Sequence, residues 1–151
     1  MAIHLCQHDQ SAEDPFALPS RLSPRLARIR DYWASLLRGG AEMPFADDLR
    51  PPDMPDMVHR TLLIDVFERP ARFRIQSLGM ALGPDALNGR FLDDVRLQPP
   101  LDFLPAQCSA TVEAAAPTFF RSDAERPHAR LLLPFWGDGR ISLLLGAIDF
   151  A

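Results

Sequence analysis

Residues 128–150 read H-A-R-L-L-L-P-F-W-G-D-G-R-I-S-L-L-L-G-A-I-D-F. Two apolar runs, 131–136 and 141–148, flank Gly137-Asp138-Gly139, and Asp-Gly held between hydrophobic runs is a strong local signal for a β-hairpin. Leu143, Leu144 and Leu145 are consecutive, so the second run is apolar on both faces, as expected of a strand with protein above and below it. Gly146 and the Gly-Asp-Gly break leave too few residues for a stable helix. The hairpin is therefore expected at the centre of a sheet.

The composition bounds the rest. A chain of 151 residues suits one domain with a real core and is too short for two comfortable ones. No apolar run approaches the roughly 20 residues that cross a bilayer, which argues against a membrane protein. The first ten residues have no basic region followed by a continuous apolar one, so no secretory signal is visible and a cytoplasmic protein is expected. Cys6 and Cys108 make no disulfide framework, in keeping with a reducing compartment. The net charge is −4 with dispersed basic residues, which disfavours direct binding to nucleic acid. All 16 basic residues are arginine, which we ascribe to codon bias rather than to anion recognition. Proline, at 15 residues, is about twice its usual share, so many short segments are expected.

In chain order, residues 1–20 lack either hydrophobic period and read as a mobile tail ahead of a single domain, 21–151. His4, Cys6 and His8 alternate within that tail but lack the fourth ligand and rigid frame of a metal site, so no metal is predicted. Ser23-Pro24 signs a helix start and Gly39-Gly40 its stop, predicting a helix over 23–38. Leu22, Leu26, Ile29, Trp33 and Leu36 follow each other at intervals of four, three, four and three, which suits a seam between two helices or a stripe packed on the chain's own domain. Four prolines between 44 and 55 leave a loop there. Residues 61–67 and 72–79 read as antiparallel strands, 80–95 as short helical pieces, and 101–115 as a second helix with Gln107 and Cys108 near its inner side. A short strand over 118–121 then leads to the closing hairpin. Pro134 removes a ladder donor, so a bulge or unpaired position is expected there, with Phe135 and Trp136 turned toward the first helix.

This order, together with short motifs from Tyr32 to Ile148, resembles a proteobacterial PAS family of short, often standalone proteins. The motifs are Tyr32-Trp33, Leu36, Arg38-Gly39-Gly40, Met43-Pro44, Asp48-Leu49-Arg50-Pro51, Met54, Asp65-Val66, the strand from Phe73 to Gly79, Asn88-Gly89-Arg90, Leu133-Pro134-Phe135 and Asp138-Gly139. Gln76 and Asn88 depart from the family pattern, where Arg and Thr are usual, near where a PAS cavity would open. The resemblance implies an α+β fold, a PAS-like five-stranded antiparallel sheet with its helices between the second and third strands, plus an N-terminal helix. It also implies a sensory or protein-interaction module in bacterial signal transduction that binds a small ligand or a regulatory protein without catalysis. No kinase, cyclase or DNA-binding output is expected in so few residues.

A ligand pocket of that kind would be lined by Ile64, Phe73, Ile75, Leu82, Phe91, Phe103, Leu104, Cys108, Leu133 and Leu145, and the other reading is a filled core. A homodimer would use Leu22, Leu26, Ile29, Trp33, Leu36 and Trp136. Cys108 lacks the Asn-Cys-Arg context of a flavin photoreceptor, and neither His59 nor His128 stands where a haem ligand would, so no cofactor is predicted beyond an unidentified small apolar ligand. The adjacent pairs Asp47-Asp48 and Asp93-Asp94 read as caps and solvated loop charges. His128 and Asp102 would form a general-base pair only by tertiary accident. The alternatives are a small ketosteroid-isomerase-like enzyme, whose strands follow an opening set of helices, and a ligand-free structural adaptor.

Overall fold

The computed structural model describes residues 14–50 and 55–151. The expected hairpin forms from β4 (His128–Gly137) and β5 (Arg140–Phe150), turning at Asp138 and Gly139, both at positive φ. Three more strands complete the sheet: β1 (Thr61–Phe67), β2 (Arg72–Leu78) and β3 (Thr118–Ser122). All neighbours are antiparallel and the order is β2-β1-β5-β4-β3, so β5 and its partners β1 and β4 form the middle.

Side chains alternate across a strand, so the register sorts the two faces. Ile64 opposes Leu144, Leu62 opposes Gly146, and Gly146 opposes Leu132, which places Leu62, Ile64, Leu132 and Leu144 on one face. Leu63, Leu131, Leu133, Leu143, Leu145 and Ala147 take the other. Gly146 leaves room for them, since a Cβ here would come within 2.5 Å of Leu62 Cδ2 and 3.0 Å of Leu132 Cδ2.

Helix α1 (Pro24–Ser35) covers the second face over β4 and β5. Ser23 caps it, its Oγ accepting from Leu26 N at 3.4 Å, and Pro24 occupies the first turn, where the absent N–H has no partner to lose. The helix ends earlier than expected. Leu36 N and Leu37 N donate to carbonyls three residues back, tightening the turn before Gly39 at φ 55°. Its stripe lies on the chain's own sheet: Leu26 and Ile29 are fully buried, Leu22 and Trp33 nearly so, and Trp33 Nε1 donates to Pro134 O at 2.8 Å. Leu36 is half-buried against the same core. The expected seam between two copies is thus corrected for these residues, because the surface it needs is already covered.

Helix α2 (Leu104–Ala114) covers the first face, helped by short 3-10 turns at Asp85–Leu87 and Leu92–Asp94. Pro134 stays in register with Leu144, and the bulge falls one step later, between Phe135 and Trp136, which corrects the expectation at Pro134. The proline is tolerated because β3 begins opposite Leu132, leaving β4 paired on only one side at this position. Phe135 is buried but Trp136 is exposed, its N–H donating to Pro44 O at 2.8 Å.

Both sheet edges meet their own chain. Ile75 at β2 donates to Arg90 O and accepts from Gly89 N, and Phe119 at β3 donates to Phe16 O. Of the expected tail, residues 14–20 are therefore part of the fold at Phe16, while residues 1–13, with His4, Cys6 and His8, lie outside the described residues.

Candidate functional site

The residues expected to line a pocket separate into three groups. Ile64, Ile75, Leu82, Leu104 and Cys108 do converge between α2 and the first face, each 0–2% exposed, as a packed core. Phe73 and Phe91 are half-buried at the margin, where the Arg72 guanidinium lies 3.8 Å from the Phe91 ring centroid. Phe103, Leu133 and Leu145 are corrected. Phe103 precedes α2 at φ 60°, a left-handed break that turns its ring outward to 65% exposure, and Leu133 and Leu145 point to the opposite face by register. Gln76 lies on that opposite face too, donating to Asp65 Oδ1 at 2.8 Å, and Asn88 is exposed.

The core beneath α2 contains a polar group that the sequence reading missed. Arg130 is fully buried in β4, and its Nε donates to Gln107 Oε1 at 2.7 Å, Nη1 to Pro100 O at 2.8 Å and Nη2 to Asp102 O at 2.9 Å. No carboxylate bonds it, so desolvation brings its guanidinium down to about 10, against a smaller upward pull from Cys108 and Asp102. Gln107 Nε2 donates to Thr118 Oγ1 at 3.1 Å, and Thr118 shares a 2.6 Å hydroxyl contact with Thr111. One chain of hydrogen bonds thereby ties α2, β3, β4 and the segment before α2. Arg130 shares the face of Leu132, but the run Leu131-Leu132-Leu133 is buried on both faces, so alternation alone does not place the guanidinium.

His128 and Asp102 are also brought together, which their separation in the sequence gave no reason to expect. His128 Nδ1 is 2.9 Å from Arg126 O and must donate to it, a carbonyl having no proton to give. The Nε2 edge is left facing Asp102 Oδ1 at 3.4 Å, and neither atom has another hydrogen bond. The His128 side chain is completely buried, its ring centroid 6.1 Å from that of Phe120, and the Asp102 side chain is 20% exposed. Phe120 also meets Phe16, Phe103 and the Arg130 guanidinium, 4.8 Å from its centroid.

The remaining chemistry is electrostatic and superficial. Asp48 takes a bidentate bond from Arg38, and Asp93 takes one from Arg72, which also reaches Asp94 at 3.2 Å. These hydrogen bonds hold both Asp48 and Asp93 below the usual carboxylate range. Burial pushes the Cys108 thiol up, away from the thiolate that redox or nucleophilic work needs. Among the described residues no group of three or more His, Cys, Asp or Glu could hold a metal, and no helix is long and apolar enough to cross a membrane.

Open regions lie outside the core beneath α2. An apolar cleft of about 320 Å³ runs over β1 and β2 between Leu49, Val58, Leu63 and Met80. At the hairpin tip, Phe45 and Trp136 flank two more clefts and form a parallel β-bridge. Comparison with protein-family models, with curated proteins and with solved structures gives no match.

Proposed function

We propose that the chain is a PAS-type interaction module of bacterial signal transduction, acting in the cytoplasm by binding a regulatory protein rather than by catalysis. The observation that carries the reading is topological: an antiparallel sheet in the order β2-β1-β5-β4-β3, with every helical piece between its first and last strands falling between β2 and β3. The small-enzyme alternative would place its strands after the helices, whereas here two strands precede α2. It gains one observation, the His128–Asp102 contact, but the imidazole is completely buried.

The filled space under α2 favours a protein partner over an internal ligand. A ligand there would have to displace Leu104 and Cys108, both fully buried, or break the Arg130 network. Native mass spectrometry of protein purified from its host tests the reading. A co-purifying polypeptide at fixed stoichiometry, without a retained small molecule, is expected. A tightly held small molecule and no polypeptide would overturn it in favour of a ligand sensor or enzyme.

A further inference from the structure

The hairpin tip presents two aromatic side chains to solvent in a rigid frame. Trp136 is 38% and Phe45 41% exposed, although both belong to paired backbone. The Trp136 N–H bond to Pro44 O fixes the tryptophan, and the Arg38 guanidinium, 5.5 Å from the Phe45 ring centroid, braces the phenylalanine. Clefts of about 380 and 470 Å³ lie beside Trp136, and both include Phe45. Large exposed aromatics held by fixed backbone lose little freedom on binding, which is the pattern of an interface hot spot.

The rim of this surface is acidic. Asp47 and Asp138 line one cleft and Glu42 the other, and among the described residues none of the three pairs with a cation. Of the nearby guanidiniums, Arg38 is committed to Asp48 through two bonds of 2.8 and 2.7 Å, Arg50 donates to the Asp47 carbonyl at 3.1 Å, and Arg140 donates to Val66 O at 2.6 Å. A second copy in a two-fold dimer through this face would set carboxylates against carboxylates, and phosphate-bearing partners would be repelled. A cationic side chain, by contrast, gains both the carboxylates and the π-face of Trp136.

We propose that the hairpin tip docks a segment of another protein in which arginine or lysine stands next to an apolar residue, the cation meeting Asp47 and Asp138 and the apolar side chain packing on Trp136. This rests on the interaction-module reading and names the partner's chemistry. The test is selection of short random peptides displayed on phage against the full chain, with each selected clone then measured on two variants. Trp136→Ala removes the anchor. The double change Asp47→Asn, Asp138→Asn keeps shape and removes charge, and asparagine accepts the φ of 54° at position 138.

The expected clones carry arginine or lysine beside an apolar residue, lose about tenfold in affinity on Trp136→Ala and about fivefold on the asparagine pair, and weaken with salt. Clones without basic residues, clones held equally by both variants, or no clones at all would overturn the proposal. The two readings fail separately. A host polypeptide that co-purifies equally with wild type and Trp136→Ala would keep the module and discard this surface.

Discussion

Replacing Arg130 by methionine is the most informative single change, because the buried guanidinium bonds three acceptors from two segments. The three bonds, to Gln107 Oε1, Pro100 O and Asp102 O, are made by a charged donor and are worth about 1.5–3 kcal/mol each. Against them stands the burial of the charge: a guanidinium brought down to about 10 from its ordinary value is disfavoured by about 3 kcal/mol. Methionine recovers that term but leaves the acceptors unbonded, for a net loss of about 1.5–6 kcal/mol. Urea unfolding followed by circular dichroism measures it, with the slope of the transition showing whether the native state stays compact. Adding Gln107→Leu should restore part of the loss, because one orphaned acceptor disappears, giving a coupling of about 1 kcal/mol or more in the double-mutant cycle. A methionine variant as stable as wild type, or an additive cycle, would show that Arg130 does not hold the segment before α2 to β4.

Three further outcomes are expected. Gly146→Ala should lose about 1–3 kcal/mol in the same assay, since its Cβ meets the Leu62 and Leu132 side chains, both buried. Asp48 and Asp93 should titrate below free aspartate in a carboxyl-resolved NMR titration. Their folded values are lowered, so any stability they add is full above the unfolded carboxylate value and is lost as pH falls through the folded one; ordinary titration of either would contradict the bidentate pairs. In a Cys6→Ser variant, the Cys108 thiol should resist an aromatic disulfide reagent until urea unfolds the chain, and rapid labelling of the folded protein would show the core to be open.

The strands were legible because local chemistry dictates them. Gly-Asp-Gly sets the hairpin, and the alternation of Arg72, Arg74 and Gln76 with Phe73 and Ile75 marks β2. Face assignment failed where alternation fails. The middle strands are apolar on both sides, so nothing in Leu131-Leu132-Leu133 or Leu143-Leu144-Leu145 tells which face each residue takes, and Leu133 and Leu145 were placed on the wrong one. The α1 stripe was ambiguous for a similar reason, since the same spacing serves a helix packed on a sheet and one packed on another helix. Phe103 was misplaced by a backbone feature: it takes a left-handed conformation just before α2, which begins at Leu104 rather than at Leu101. The Arg130 bonds and the His128–Asp102 contact join residues more than 20 positions apart, and only the fold brings them together.

The paired edges of the sheet also limit how the protein can assemble. At β2 both outward backbone groups of Ile75 are taken by residues 89 and 90, and at β3 the Phe119 N–H is taken by Phe16. A strand offered by another molecule would first have to peel one of these segments away, so growth of the sheet from copy to copy faces a barrier at each end. The segment around Phe16 thus occupies the β3 edge at Phe119, and a chain trimmed past Phe16 would bare that position to its neighbours.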